Sequence, residues 1–230
     1  MLLSSRLESS AVNGPGNRAV VWTQGCMLHC PGCWNPDTHS FDGKGEWVSA
    51  QDLAIWVLNL RKRVVGVTFS GGEPIHQIDE LLTTCGIVRA AWPDVSFGMF
   101  TGYNLEELEK GNYRRFVPRD PGESYGMETE YRQHMWQHLK AGLDFAVMGR
   151  YVRTLPSDLP LLGSSNQKVM FFTNRYSDKD LIAQQMEIHI NEGGSMEITG
   201  FPRADMCPVR PYYQAAEASA EVRRAIHQNQ

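Results

Sequence analysis

The sequence predicts an α/β fold built on parallel βαβ units. Two observations carry this: short apolar, β-branched runs alternate with segments of helical periodicity, and the motifs richest in Cys and Gly fall at the carboxyl ends of those runs. In such folds ligands gather at the carboxyl ends of the strands.

The first run, residues 19–23, is closed by Gly25 and leads into a loop that carries three cysteines. Ser49 and Asp52 form a capping box, and Leu53, Trp56, Val57 and Leu60 follow at helical spacing, so a helix is expected to about Arg63. Residues 64–70 return to strand composition and stop at Gly71-Gly72, after which a helix over 79–91, a strand over 95–101 and a short helix over 105–110 are expected. The cysteine loop, Gly71-Gly72 and Thr101-Gly102 therefore converge on one rim. Residues 111–142 break the alternation with Pro118, Pro121 and Gly122 before a helical segment, and read as an insertion. Strands resume at 143–147 and 168–172. Beyond Tyr176 the character changes: 186–191 and 196–200 flank Gly193-Gly194 as a hairpin, and 215–226 reads as a terminal helix. The expected organisation is a core over 1–175 and a C-terminal extension over 176–230.

At 230 residues with 42% hydrophobic residues the chain can bury a good core. Its formal net charge of −4 provides no basic footprint for nucleic acid, so a protein or small-molecule substrate is expected. No stretch reaches the roughly 18 apolar residues of a membrane span, and Met1 to Arg18 lacks the apolar centre of a signal peptide, which predicts a soluble, cytoplasmic protein. Five cysteines, three of them between Cys26 and Cys33, suit a metal role in a reducing compartment better than a disulfide framework. Cys85 and Cys207 are left over.

Cys26, Cys30 and Cys33 supply three thiolates, with Pro31 and Gly32 bending the chain between them. Thiolates are the usual ligands of iron–sulfur clusters, and a four-iron cluster held by three cysteines keeps one iron open for a substrate group. The competing reading is a structural zinc completed by Cys207 or a histidine, although zinc ribbons pair two Cys-x-x-Cys units and this chain has one. The second signal, Ser70-Gly71-Gly72-Glu73-Pro74, follows a strand directly; glycines let backbone approach a ligand, and Glu73 is an acceptor for an ammonium group.

Cys-x3-Cys-x2-Cys followed by Gly-Gly-Glu-Pro resembles the signature of the radical S-adenosylmethionine (SAM) superfamily. Within it the chain is most similar to the activating proteins of anaerobic ribonucleotide reductase, a family of glycyl-radical activases. Five blocks carry the resemblance in order: Asn13 to Arg18; Gln24-Gly25-Cys26 with Pro31 to Asn35; Gly66 to Pro74; Thr101 to Leu108; and Gly163-Ser164-Ser165-Asn166-Gln167. The resemblance implies a partial, open parallel (β/α)6-type barrel with a 4Fe-4S cluster and SAM at its mouth. It assigns the cluster to Cys26, Cys30 and Cys33 and the methionine part of SAM to Gly71, Gly72, Glu73 and Pro74. Thr101, Gly102, Ser165 and Asn166 would line the SAM pocket and Trp34 would pack the adenine. Such activases often carry an acidic residue where this chain has Met148 before Gly149-Arg150, and an Arg where it has Leu162.

The implied reaction is reductive cleavage of SAM to methionine and a 5′-deoxyadenosyl radical, fed by a flavodoxin or ferredoxin-type donor, with no side chain needed as acid or base. The radical would take hydrogen from a glycine of a partner protein; the alternative is a radical SAM enzyme acting directly on a small molecule or peptide, and a third reading is a non-catalytic iron–sulfur or zinc module. Outside these motifs, Glu130, His134 and His138 share a helix face that could ligate a metal, although a solvated face is the default, and Arg114, Arg115 and Arg119 form a small basic patch.

Overall fold

A computed structural model describes residues 1–42, 45–116, 129–183, 185–190 and 196–201. The first strand, β1 (Leu2–Ser10), is not marked by hydrophobicity: only its ends are buried, and serines and charges fill its middle. It pairs antiparallel with β2 (Arg18–Thr23) and with the short β3 (Glu46–Trp47). Helix α1 (Ala50–Asn59) begins where the Ser49 hydroxyl accepts the Asp52 amide at 3.0 Å, and stops short of Arg63. Then come β4 (Gly66–Gly71), α2 (Ile78–Ala91), β5 (Ser96–Thr101), α3 (Leu105–Glu109), α4 (Thr129–Gly142), β6 (Phe145–Met148) and β7 (Lys168–Phe171), followed by the hairpin β8 (Met186–Ile190) and β9 (Met196–Gly200). The expected terminal helix over 215–226, Cys207 and Gly193-Gly194 lie outside the described residues.

β1 to β7 form one sheet in the order β3-β1-β2-β4-β5-β6-β7. β2, β4, β5 and β6 are parallel, whereas β1 and β7 run antiparallel at the two sides. Among the described residues the sheet is open and no barrel closes, so the six-strand parallel expectation is corrected to four parallel strands in a mixed sheet. The reason is local: no helix intervenes between β6 and β7, and a strand that returns without a crossover pairs antiparallel. The expected insertion is described only from residue 129 on and at 111–116. Its helical half, α4, is the crossover between β5 and β6, and it buries Trp136 and Leu139 in the same core as α2. Residues 117–128 lie outside the described residues.

Alternation along the strands separates two apolar layers. Ala19, Val21, Val67, Phe69, Phe97, Met99 and Ala146 face α1, α2 and α4. Phe145 and Val147 point the other way and pack with Leu161, Leu162 and Phe201, so the described part of the C-terminal extension covers the face without helices. Asn13 donates to Thr199 at 2.9 Å and the Ala11 amide to Glu187 at 2.8 Å, fastening the hairpin to the loop after β1. No described helix is long and apolar enough to cross a membrane.

Arg18 fastens the amino ends of the parallel strands. Its fully buried guanidinium donates to Thr68 Oγ1, Pro15 O, Ser96 Oγ, Val67 O and Ser96 O, and lies over the Phe145 ring at 5.0 Å. Burial lowers its pKa to about 10, which leaves it charged at neutral pH. Arg18→Met keeps the bulk and strands these acceptors, so urea unfolding should show a loss of about 3 kcal/mol or more; a loss below about 1 kcal/mol, the worth of one ordinary hydrogen bond, would mean the network does not hold the strands.

Candidate functional site

The rim expected from the sequence is present at the carboxyl ends of β2, β4 and β5. After β2 the Gln24 side chain donates to Asp37 O at 3.0 Å and Ser40 O at 2.7 Å, while the Gly25 and Cys26 amides donate to Thr38 O and His39 O. These bonds close the base of the cysteine loop. Within it Gly32 takes a left-handed φ of 72°, and the Cys33 amide donates to Cys30 O at 3.1 Å. Cys26 is buried, whereas Cys30 and Cys33 are half-buried. Burial pushes the Cys26 thiol up to about 12, helped by the negative charge of Glu73, and burial also raises Cys33. Metal uptake by such thiols releases protons.

Among the described residues no three Cys, His, Asp or Glu side chains converge on a single metal position. The His134 and His138 rings lie 4.4 Å apart on the solvent side of α4.

The glycine pair at the carboxyl end of β4 is packed against the backbone that leads into the cysteine loop. A Cβ at Gly71 would lie 2.5 Å from Thr23 N, and one at Gly72 would lie 2.4 Å from Gly25 O. Gly72 donates to Thr23 O at 2.7 Å and Glu73 to Gly25 O at 3.0 Å. The glycines thus let backbone meet backbone and lock this loop onto the root of the cysteine loop. Pro74 begins the buried 3-10 turn Pro74–Gln77, which the Glu73 carboxylate caps by accepting from Ile75 N.

Glu73 also accepts from Thr101 Oγ1 at 2.9 Å and from Gly102 N at 2.8 Å, so two further sequence candidates join it directly. Burial raises its pKa to about 7, against those hydrogen bonds and the positive charge of Arg150. Among the described residues no cationic side chain forms an ion pair with it. A buried carboxylate so placed fits an ammonium-bearing ligand.

Trp34, Ser165 and Asn166 sit farther along the rim. Trp34 Nε1 donates to Tyr151 OH at 2.9 Å and its ring packs against Phe201. Asn166 donates to Arg150 O, the Ser165 amide donates to Leu155 O, and Gln167 joins Gly149 O to the Gly163 and Ser164 amides. None of these bonds reaches Glu73.

Two residues without an expected role are central. The His76 ring is buried; its Nδ1 accepts from Met27 N at 3.4 Å, so the proton sits on Nε2 and is donated to Tyr103 OH at 3.0 Å. Burial, and then the charge of Arg114, lowers its pKa to about 3, keeping it neutral. Tyr103 OH also accepts from Arg114 N at 3.1 Å. His76 stands two residues after Pro74, but nothing in the sequence marks it as buried. Arg115 leaves the basic patch for an ion pair with Asp79, and Arg119 lies outside the described residues. Cys85 is a core thiol of α2, raised to about 12 by burial.

The family model of the 4Fe-4S single cluster domain matches residues 12–170. The chain is similar to the anaerobic ribonucleoside-triphosphate reductase-activating protein of Escherichia coli (strain K12), 36% identical over 101 residues that cover 42% of this chain and 66% of that protein. The protein of the same name from Haemophilus influenzae is 32% identical over 106 residues, covering 44% and 68%. The pyruvate formate-lyase-activating enzyme of Listeria monocytogenes is 42% identical over 84 residues, covering 35% and 34%. The chain thus spans just under two thirds of the Escherichia coli relative's length.

Gly72→Ala tests the junction between the two loops. Overpacking against backbone should cost about 1–3 kcal/mol in chemical unfolding, with impaired loading of the cysteine loop; wild-type stability and loading would show that the close approach is dispensable.

Proposed function

Because the chain belongs to the 4Fe-4S single cluster domain family over residues 12–170, we propose that it is a radical SAM enzyme of the glycyl-radical activase type, acting in the cytoplasm on a glycine of a partner protein. The observation that carries this reading is the junction of two half-sites: the cysteine loop and the buried, ion-pair-free carboxylate of Glu73, bonded through Gly25 and Thr23. Cys26, Cys30 and Cys33 would hold the 4Fe-4S cluster, leaving one iron for SAM. Glu73 would receive the SAM amino group, with Thr101 and the Gly102 amide fixing its carboxylate. Gly71, Gly72 and Pro74 shape the loop that presents it. Trp34 would pack the adenine, and Ser165 and Asn166 would complete the pocket wall. When bound, cluster and SAM supply a 5′-deoxyadenosyl radical; the protein contributes geometry and exclusion of water.

The names of the relatives support the choice of a glycyl radical protein as substrate. One feature favours the second reading, direct action on a small molecule or peptide: Phe201 packs against both Trp34 and Phe100, which narrows the face of the sheet without helices.

The test is anaerobic reconstitution with iron and sulfide, then dithionite and SAM, with 5′-deoxyadenosine read by chromatography. Wild type should form it, and Cys30→Ala should lose both the cluster absorbance and the product. Glu73→Gln should keep the cluster and raise the KM for SAM about tenfold or more, since a charged hydrogen bond is worth about 1.5–3 kcal/mol. A loaded wild type that forms no 5′-deoxyadenosine, even with candidate partners present, would refute the proposal.

A further inference from the structure

The backbone amides from Cys26 to His29 divide into two pairs. Cys26 N donates to His39 O at 2.9 Å and Met27 N donates to His76 Nδ1 at 3.4 Å, so the first pair is taken by acceptors outside the loop's thiols. The Leu28 and His29 amides instead face the Cys26 sulfur and favour its charged form. His29 takes a left-handed φ of 46°, uncommon outside glycine, and a turn of that kind lets neighbouring N–H groups converge on an anion.

His76 is the group that maintains this division. Its side chain is fully buried, and its backbone is pinned at both ends: His76 N donates to Glu73 O at 3.1 Å and Phe116 N donates to His76 O at 2.6 Å. The ring is pinned by Nε2, which donates to Tyr103 OH at 3.0 Å. Tyr103 is fixed in turn, because its amide donates at 3.1 Å to the Thr101 Oγ1 that bonds Glu73. The ring thus connects the Glu73 cradle to the peptide that follows the first cysteine. Without the Nδ1 acceptor, the Met27 N–H would lose its protein partner, and the loop could turn to satisfy it elsewhere, carrying the next two amides away from the sulfur.

We propose that His76 is a positioning residue for the cluster: by accepting from Met27 N and donating to Tyr103, it holds the Leu28 and His29 amides against the Cys26 sulfur and thereby sets the cluster's reduction potential. The inference rests on the cluster half of the radical SAM reading above. Hydrogen bonds to the ligating sulfurs are among the levers that set an iron–sulfur potential, and groups that orient the ligands from behind tune metal sites generally. N–H groups facing a thiolate stabilise negative charge. They therefore favour the reduced cluster, and their loss lowers the potential.

The experiment compares reconstituted wild type, His76→Leu and His76→Asn. The cluster potential is read without SAM, by an anaerobic redox titration followed by electron paramagnetic resonance. Leu fills the buried space and removes both ring hydrogen bonds, whereas the Asn Oδ1 takes a place close to that of Nδ1 and keeps an acceptor for Met27. In the loaded fraction of His76→Leu the midpoint should fall. The reduced fraction at a given potential should drop about tenfold, which is about 59 mV for one electron. His76→Asn should recover most of that shift. A merely structural histidine would lower iron uptake or stability and leave the potential of the loaded fraction at the wild-type value, and that result would overturn the proposal. So would an Asn variant shifted as far as Leu. Should His76→Leu fail to fold, Tyr103→Phe decides the matter, since it keeps the ring and removes the acceptor of its proton: a lower potential supports the proposal and an unchanged one overturns it. A wild type without a reducible four-iron cluster would overturn the cluster reading and the proposal with it. Because the titration contains no SAM, its result is independent of whether 5′-deoxyadenosine forms, and failure of the SAM chemistry is thereby distinguished.

Discussion

Two backbone hydrogen bonds, from Gly72 to Thr23 and from Glu73 to Gly25, decide how this protein can work. They join the loop after β4 to the root of the cysteine loop after β2, and they form only because neither Gly71 nor Gly72 carries a Cβ. Parallel pairing of β2 with β4 delivers the two loops to the same rim in register, with Thr23 opposite Gly71. The junction then turns coarse proximity into a fixed relation between three thiols and one buried carboxylate. At the opposite end of the same strands, Arg18 holds β2, β4 and β5 together.

Charge is distributed around this junction with a consistent logic. Glu73 is buried with three hydrogen-bond donors and no ion-pair partner among the described residues, so a positive ligand is the natural complement. His76, directly behind the cysteine loop, is held neutral by burial and serves as a spacer between Met27 and Tyr103. Beyond Tyr103 the sign reverses at Arg114 and Arg132.

Much of the fold was legible because periodicity is a strong signal where one face of an element is buried. The elements β2, α1, β4, α2, β5 and β6 all bury apolar residues at the expected spacing. β1 was not legible, since its serines and charges carry no alternation, and only pairing with β2 makes it a strand. The direction of β7 depends on the absence of a helix before it, which a coarse reading of Gly- and Ser-rich residues does not establish. α4 looked separate because the polar stretch before it hid its continuity with the crossover, although Trp136 and Leu139 mark its buried side. In the site, residue types predicted the convergence of the cysteine loop, Glu73, Thr101 and Gly102. The same glycines also allow a close approach of backbone to backbone, which demands the same residue as a close approach to ligand. His76 and Tyr103 were missed because a buried neutral histidine has no sequence signature of its own.

The central claim is that this junction directs a hydrogen abstraction at a glycine of a partner protein. The most direct measurement is to label the candidate partner with α-deuterated glycine, incubate it anaerobically with the reconstituted enzyme, reductant and SAM, and analyse 5′-deoxyadenosine by mass spectrometry alongside the electron paramagnetic resonance spectrum. Deuterium in the 5′-methyl group, together with a glycyl radical signal on the partner, is the predicted result. 5′-Deoxyadenosine that carries no label, with no radical on the partner, would contradict the account and move the substrate away from a protein glycine.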